Sequence, residues 1–296
     1  MFKNILLPLD GSHLSEAALG PAAAFAAAFD ATLTLLHIIE QDAPPEVHHD
    51  RHLTRPGEAE AYLNEIAARA FPPEMGVQTH VHPAPVSDVA RSIFEHAVAE
   101  LRADLIVMCT HGSDGVYRLL YGSVAQQVVA QGITPLVLIK PGSPSFKLER
   151  VLVPLDPDSQ HDEALASAES LGHAFAAQVD LLSVIPTLTT LPPERAAAGS
   201  FLPATAQAYL DLLEENSSRD LLEHVDGFKA AGVQATAQVA RGEPAAAILK
   251  AADELRADLI LLSTHRKAGL RAFWAQSVAP TVAQKAKTPI LLLPLA

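Results

Sequence analysis

Seven consecutive residues, ELRADLI, occur twice in this chain of 296, at residues 100–106 and 254–260. A copy of that length means duplication, and the surrounding matches show that far more than seven residues was duplicated. ILLPLD (5–10) aligns with VLVPLD (151–156) at a shift of 146. Thr110-His111 then aligns with Thr264-His265, Ser123 with Ser277, and TPLVLI with TPILLL, all at a shift of 154. The second copy therefore carries 154 − 146 = 8 extra residues in its first half, expected in the irregular stretch 186–205, opposite 41–57 of the first copy. Single cores rarely grow beyond about 250–300 residues, so the reading is two domains, 1–142 and 151–296, with a Pro/Gly/Ser linker at 143–150.

Within each copy, short Val/Ile/Leu runs alternate with Ala-rich segments of helical period. In the first copy the expected strands are 4–9, 32–39, 77–82, 104–109 and 136–140, with helices at 15–29, 58–70, 87–101 and 123–131. Strands apolar on both faces belong in a parallel sheet covered by helices on each side. The alternation predicts an α/β fold of two tandem doubly wound, five-stranded, Rossmann-like domains. ELRADLI is then the last helical turn before the fourth strand, and Arg102 and Asp104 are expected to build a corner rather than to catalyse.

The net charge of −13 opposes phosphate backbones and anionic lipid, and 5% aromatics leave little for stacking bases; neither nucleic acid nor membrane is an expected partner. No apolar run reaches the roughly 20 residues of a membrane span. The single Cys109 and the absence of an export leader suit a cytoplasmic protein.

In open α/β sheets ligands bind beyond the carboxyl ends of the strands, where strand order reverses. One such end reads CTHGSDGVYRLLYGSV (109–124). Gly112 permits close backbone approach, and Gly122-Ser123 opens a helix whose free N–H groups and dipole suit an anion. Gly-Ser before a helix is also an ordinary cap, so the pair carries little alone. With the strand ending in Pro-Leu-Asp, the LLHII strand, the Thr-His-Gly end, the nine-residue gap to Gly-Ser and the closing Thr-Pro strand, the chain resembles two tandem universal stress protein domains over nearly all its length. The resemblance implies a nucleotide-responsive module that binds ATP or AMP, with Mg²⁺ as companion ion. It implies that Asp10, the backbone at Ile38 and Met108 meet the adenosine, and that Gly112, Gly122, Ser123 and Val124 hold phosphates. It also implies self-association, as pairing of the two domains through their closing strands across a pseudo-two-fold axis and as a homodimer.

Two departures bear on that reading. The first glycine of the family's phosphate loop is Cys109, and Asp114 puts a carboxylate within the loop. In the second copy the equivalents are Ser263, Arg266, Gln276 and Ser277, so every glycine is gone; Asp156 keeps the strand-end carboxylate, and that copy is expected to be structural. No nucleophile elbow, complete P-loop or receiver-type acidic pair is present, so at most slow ATP hydrolysis is expected, with no catalytic residue assigned. His48, His49, Asp50 and His52, with His80 and His82 alternating onto one face of the third strand, have ligand chemistry but match no standard zinc spacing; a solvated loop is the expectation. A scaffold with both sites degenerate, and a metal-dependent hydrolase using the His-rich loop, stand as alternatives.

Overall fold

The computed structural model describes residues 1–110, 124–131, 134–142, 146–156, 162–190, 203–265 and 278–295. Their contacts divide the chain into two compact units: 1–147 with 264–276 and 289–296, and 148–263 with 277–288.

In the first unit, β1 (Asn4–Pro8), β2 (Thr32–Glu40), β5 (Val77–Val86), β6 (Leu105–Cys109) and β7 (Leu136–Ile139) are mutually parallel in the order β7-β6-β1-β2-β5. The helices between them are α1 (Leu19–Phe29), entered through a 3₁₀ turn at Ser15–Ala18, then α2 (Pro56–Ala70), α3 (Val89–Glu95) and α4 (Val124–Gln131). Ile5, Leu6, Leu7, Leu33, Leu35 and Leu36 are all but inaccessible, as expected of strands covered on both faces, and each contributes roughly 1.5–3 kcal/mol of burial. Phe2, Phe25 and Phe29 stack and tilt together beneath α1. β5 runs through Pro83 and Pro85 to Val86, beyond its expected end; it lies at the edge of the sheet, where proline is tolerated. The last of the described strands, β12 (Ile290–Leu295), clusters with this unit and pairs antiparallel with β7, Ile290 opposite Leu138 and Leu292 opposite Leu136.

In the second unit, β8 (Arg150–Leu155), β9 (Gln178–Ile185), β10 (Ala235–Arg241) and β11 (Leu259–His265) lie in the order β10-β9-β8-β11, all parallel. They are joined by α5 (Asp162–Phe175), α6 (Pro203–Ala230) and α7 (Pro244–Leu255), and α8 (Val278–Lys285) packs with α7. α6 spans 28 residues where α2 spans 15. It opens at Pro203, a favoured first helical position, so residues 203–205 are helical where irregular chain was expected. Asp180, 1% exposed, accepts from Arg150 at 3.0 and 3.2 Å, from Gln178 at 2.7 Å and from Thr236 at 2.6 Å; this network satisfies a buried carboxylate that would otherwise be costly.

The duplication persists in the backbone. Asp30 and Ala176, 146 apart, both take left-handed conformations at helix ends, as do Arg102 and Arg256, 154 apart. The repeated heptapeptide is the same corner twice. Asp104 accepts from the backbone N–H of Lys3 at 2.8 Å and of Asn4 at 3.0 Å, and its own N–H donates to the Asn4 carbonyl. Asp258 accepts from Glu149 at 2.8 Å and Arg150 at 2.9 Å and donates to the Arg150 carbonyl. Each carboxylate thus ties the entry of the central strand to the entry of its neighbour. Among the described residues no helix is long and apolar enough to cross a membrane.

Candidate functional site

After β1 the chain places β2 and β5 on one side and β6 and β7 on the other, so strand order reverses at the β1/β6 boundary. The carboxyl ends there carry Asp10, just past β1, and Cys109, the last residue of β6. Asp10 is partly exposed and folds into a local turn: its Oδ1 accepts from the Ser12 N–H at 2.9 Å and the Ser12 hydroxyl at 2.6 Å. Ser12 is fully buried and its hydroxyl oxygen accepts the Ser15 N–H, so the turn feeds straight into the 3₁₀ entry of α1.

Ile38 lies near the end of the adjacent β2, 6% exposed, opposite His82; a register shift between Ile38 and Glu40 interrupts the ladder beside it. Met108, 7% exposed, is the penultimate residue of β6. Asp10, Ile38 and Met108 thus stand at the carboxyl ends of three neighbouring strands, β1, β2 and β6. Val124 is half-buried at the start of α4. Gly112, Gly122 and Ser123 lie outside the described residues, as do Asp114, Arg266, Gln276 and Ser277. In the second unit Ser263 is half-buried on β11, and Asp156 follows β8 in an exposed position.

The His-rich stretch is not the solvated loop its composition suggests. β3 (Glu46–Val47) and β4 (Asp50–Arg51) pair as a two-residue hairpin. Its turn residues, His48 and His49, both adopt left-handed φ of 51° and 71°, a conformation that hairpin turns usually assign to Asn-Gly. The hairpin and the chain after it pack onto the strand ends. His48 Nε2 lies 3.6 Å from Asp10 Oδ2, and Asp50 accepts from the His13 backbone at 2.8 Å and faces its Nδ1 at 2.9 Å. That contact raises the His13 pKa through the Asp50 hydrogen bond and lowers that of Asp50 through the His13 backbone N–H. His37, 1% exposed, stands between two carbonyl oxygens, Leu9 at 2.8 Å and Leu53 at 3.1 Å. Gly11, at φ +90°, receives Leu53 so closely that a Cβ there would meet its Cδ1 at 2.7 Å. Residues 41–55 therefore form a cover on the Asp10 turn, with β2 and β1 beneath it.

Cys109 faces the same region. Burial, reinforced by the Asp10 carboxylate, pushes its thiol up to about 12; a thiol so held is neutral and unreactive at physiological pH. The side chain donates weakly to the Thr110 carbonyl at 3.5 Å, and Thr110 in turn donates to Ile139 from both backbone and hydroxyl. The arrangement offers a carboxylate acceptor and irregular strand-end backbone, the elements that hold ribose hydroxyls and a base edge, without an activated nucleophile among these residues.

The profile of the universal stress protein family matches residues 1–140 and again 147–294. A universal stress protein of Thermus aquaticus is 36% identical over 144 residues, covering 47% of this chain and all of that protein. A universal stress protein of Mycolicibacterium smegmatis is 24% identical over 302 residues, covering 98% of this chain and 96% of that one. Among solved structures, a universal stress protein from Archaeoglobus fulgidus superposes with a TM-score of 0.73 at 20% identity, over 98% of this chain and 97% of that one.

Proposed function

The chain belongs to the universal stress protein family, and on that premise we propose that it is a nucleotide-responsive binding module whose first unit takes ATP or AMP, with Mg²⁺ accompanying the phosphates. The observation that carries this reading is the position of Asp10: a partly exposed carboxylate at the end of the central strand, at the reversal of strand order, where doubly wound sheets bind ligands. Its Oδ1 is committed to Ser12, leaving Oδ2 beside His48 to accept from a ribose hydroxyl or exocyclic amine. Ile38 and Met108 flank it on the neighbouring strands, and Gly112, Gly122, Ser123 and Val124 supply the phosphate contacts. The second unit serves as the structural copy, and the chain works in the cytoplasm as a dimer. The turn of residues 41–55 over Asp10 makes nucleotide entry depend on movement of that cover.

Equilibrium binding of Mg²⁺-ATP and of AMP to chain stripped of copurified nucleotide tests the proposal, alongside Asp10→Ala and Gly122→Ala/Ser123→Ala variants. One micromolar site per chain, weakened by about tenfold or more in each variant, is expected, since each removes one or two charge-assisted contacts of roughly 1.5–3 kcal/mol. A stripped, folded chain that binds neither nucleotide overturns it and leaves a scaffold acting through protein contacts.

A further inference from the structure

His80 and His82, two residues apart on β5, project to one face of the strand. The following helix doubles back beside them, and its last turn brings up two more groups with ligand chemistry. His96 packs its ring 5.1 Å from His80 and 4.9 Å from His82, centre to centre. Glu100 reaches between them: its Oε2 lies 3.6 Å from His80 Nε2 and 3.5 Å from His96 Nε2. We propose that His80, His96 and Glu100 form a binding site for a divalent transition metal of the zinc class, independent of the nucleotide site.

Four features argue for an ion rather than a polar knot of side chains. The two imidazole-to-carboxylate separations, 3.6 and 3.5 Å, are close to the roughly 3.3 Å between ligands about 2.0–2.1 Å from a tetrahedral zinc, and the three ligand atoms all lie within 4.8 Å of one another, so a small inward shift of the exposed side chains closes the sphere. His96 is 5% exposed, and its Nε2 is buried without a hydrogen-bond partner, an arrangement that proteins rarely leave unused. The other ring nitrogen, Nδ1, donates to the Ser92 carbonyl at 2.7 Å, the outer hydrogen bond that fixes the tautomer of a ligating histidine and aims Nε2 at the ion. Two imidazoles and one carboxylate suit zinc and its neighbours, whereas calcium and magnesium take oxygen sets.

The fourth feature comes from the duplication. By sheet register the second copy has Gln238 and Ala240, opposite Leu182 and Val184, where the first has His80 and His82 opposite Leu36 and Ile38, and at the shift of 154 it has Lys250 and Glu254 where the first has His96 and Glu100. It builds the same helix-to-strand corner without them, and there Lys250 pairs with Glu254 at 3.5 Å. The histidines are therefore not required by the corner. The helix itself differs at this place: in the first copy residues His96–Glu100 form a π turn, Leu101 donating to the His96 carbonyl five residues back, a widening often associated with functional sites. A groove of about 500 Å³, lined in part by His82, His96 and Glu100, gives the ion and a completing water their route.

Full-length chain stripped with chelator is titrated with Zn²⁺ by calorimetry, and with Co²⁺ to read coordination from the visible spectrum. One ion per chain with a tetrahedral Co²⁺ band is expected, weakened at least about 100-fold in Glu100→Gln and in His80→Asn, since even outer-shell changes cost 10–100-fold. His49→Ala, in the hairpin, leaves it unchanged. Both ligand positions are partly exposed, and circular dichroism verifies that their variants fold. No stoichiometric uptake by the folded wild-type chain overturns the proposal. So does uptake that survives both ligand variants, or that His49→Ala abolishes, since either places the ion elsewhere.

Discussion

Asp104 and Asp258 occupy the same place in two copies of one heptapeptide, yet they make their bonds differently, and an identical substitution should separate them. Asp104 uses both oxygens, Oδ2 for the Lys3 N–H and Oδ1 for the Asn4 N–H; Asp258 serves the N–H groups of Glu149 and Arg150 through Oδ2 alone. An amide has one carbonyl oxygen. Asp258→Asn can keep both bonds, each changed from charge-assisted to neutral, whereas Asp104→Asn keeps at most one and turns an NH₂ toward the other donor. Taking about 1.5 kcal/mol for a bond to a carboxylate at these partly exposed sites and about 1 for its neutral counterpart, Asp104→Asn costs about 2 kcal/mol and Asp258→Asn about 1. Native-state hydrogen exchange reads this locally, without assuming that the chain unfolds in one step. The amides of Lys3 and Asn4 should exchange roughly 30-fold faster in Asp104→Asn, and those of Glu149 and Arg150 roughly 5-fold faster in Asp258→Asn. Equal acceleration, or a larger effect in the second copy, would refute the assignment of bonds to particular oxygens.

Two further outcomes follow from the strand-end region. Gly11→Ala combines a φ of +90° with a Cβ 2.7 Å from Leu53; it should destabilise by about 1–3 kcal/mol and speed proteolysis within residues 41–55, while an unchanged cleavage rate would mean that Leu53 does not seat there. Cys109, its thiol pushed up to about 12 by burial, should react with a thiol reagent at pH 8 at least about 100-fold more slowly in the folded than in the urea-unfolded chain; equal rates would contradict the burial. The folded state holds that proton more tightly than the unfolded one, so the stability it contributes is whole below the thiol's ordinary value of 9.0 and is lost as pH rises through 9 toward 12.

The parallel sheet, its crossover helices and the corner role of ELRADLI were legible because repeat, periodicity and apolar runs all encode local geometry. Asp10, Ile38 and Met108 fall on adjacent strand ends for the same reason. The hairpin over Asp10 was not legible, since two histidines in left-handed conformations carry none of the Asn-Gly signal of such turns; what holds them is tertiary, in His13, His37 and Gly11. The cluster on β5 was half legible. His80 and His82 announce one face by their spacing, but His96 and Glu100 join them only through a chain reversal that no spacing rule describes. Glu100 and Glu254 are the same letter in the same heptapeptide, and the residue four positions earlier, His96 or Lys250, decides whether that carboxylate completes a ligand set or an ordinary surface ion pair.

The antiparallel partner of β7 is β12, far later in the chain, and this orders events during synthesis. When Ile139 leaves the ribosome, roughly 150 residues separate it from Ile290, which at 5–20 residues per second is roughly 8–30 s of translation. Through that interval the apolar β7 has an unpaired edge, of the kind that recruits other chains. The nascent protein is therefore most prone to aggregate half-made, and a stop codon or cleavage anywhere before residue 290 releases a first unit with that edge open, however well its own five strands have folded.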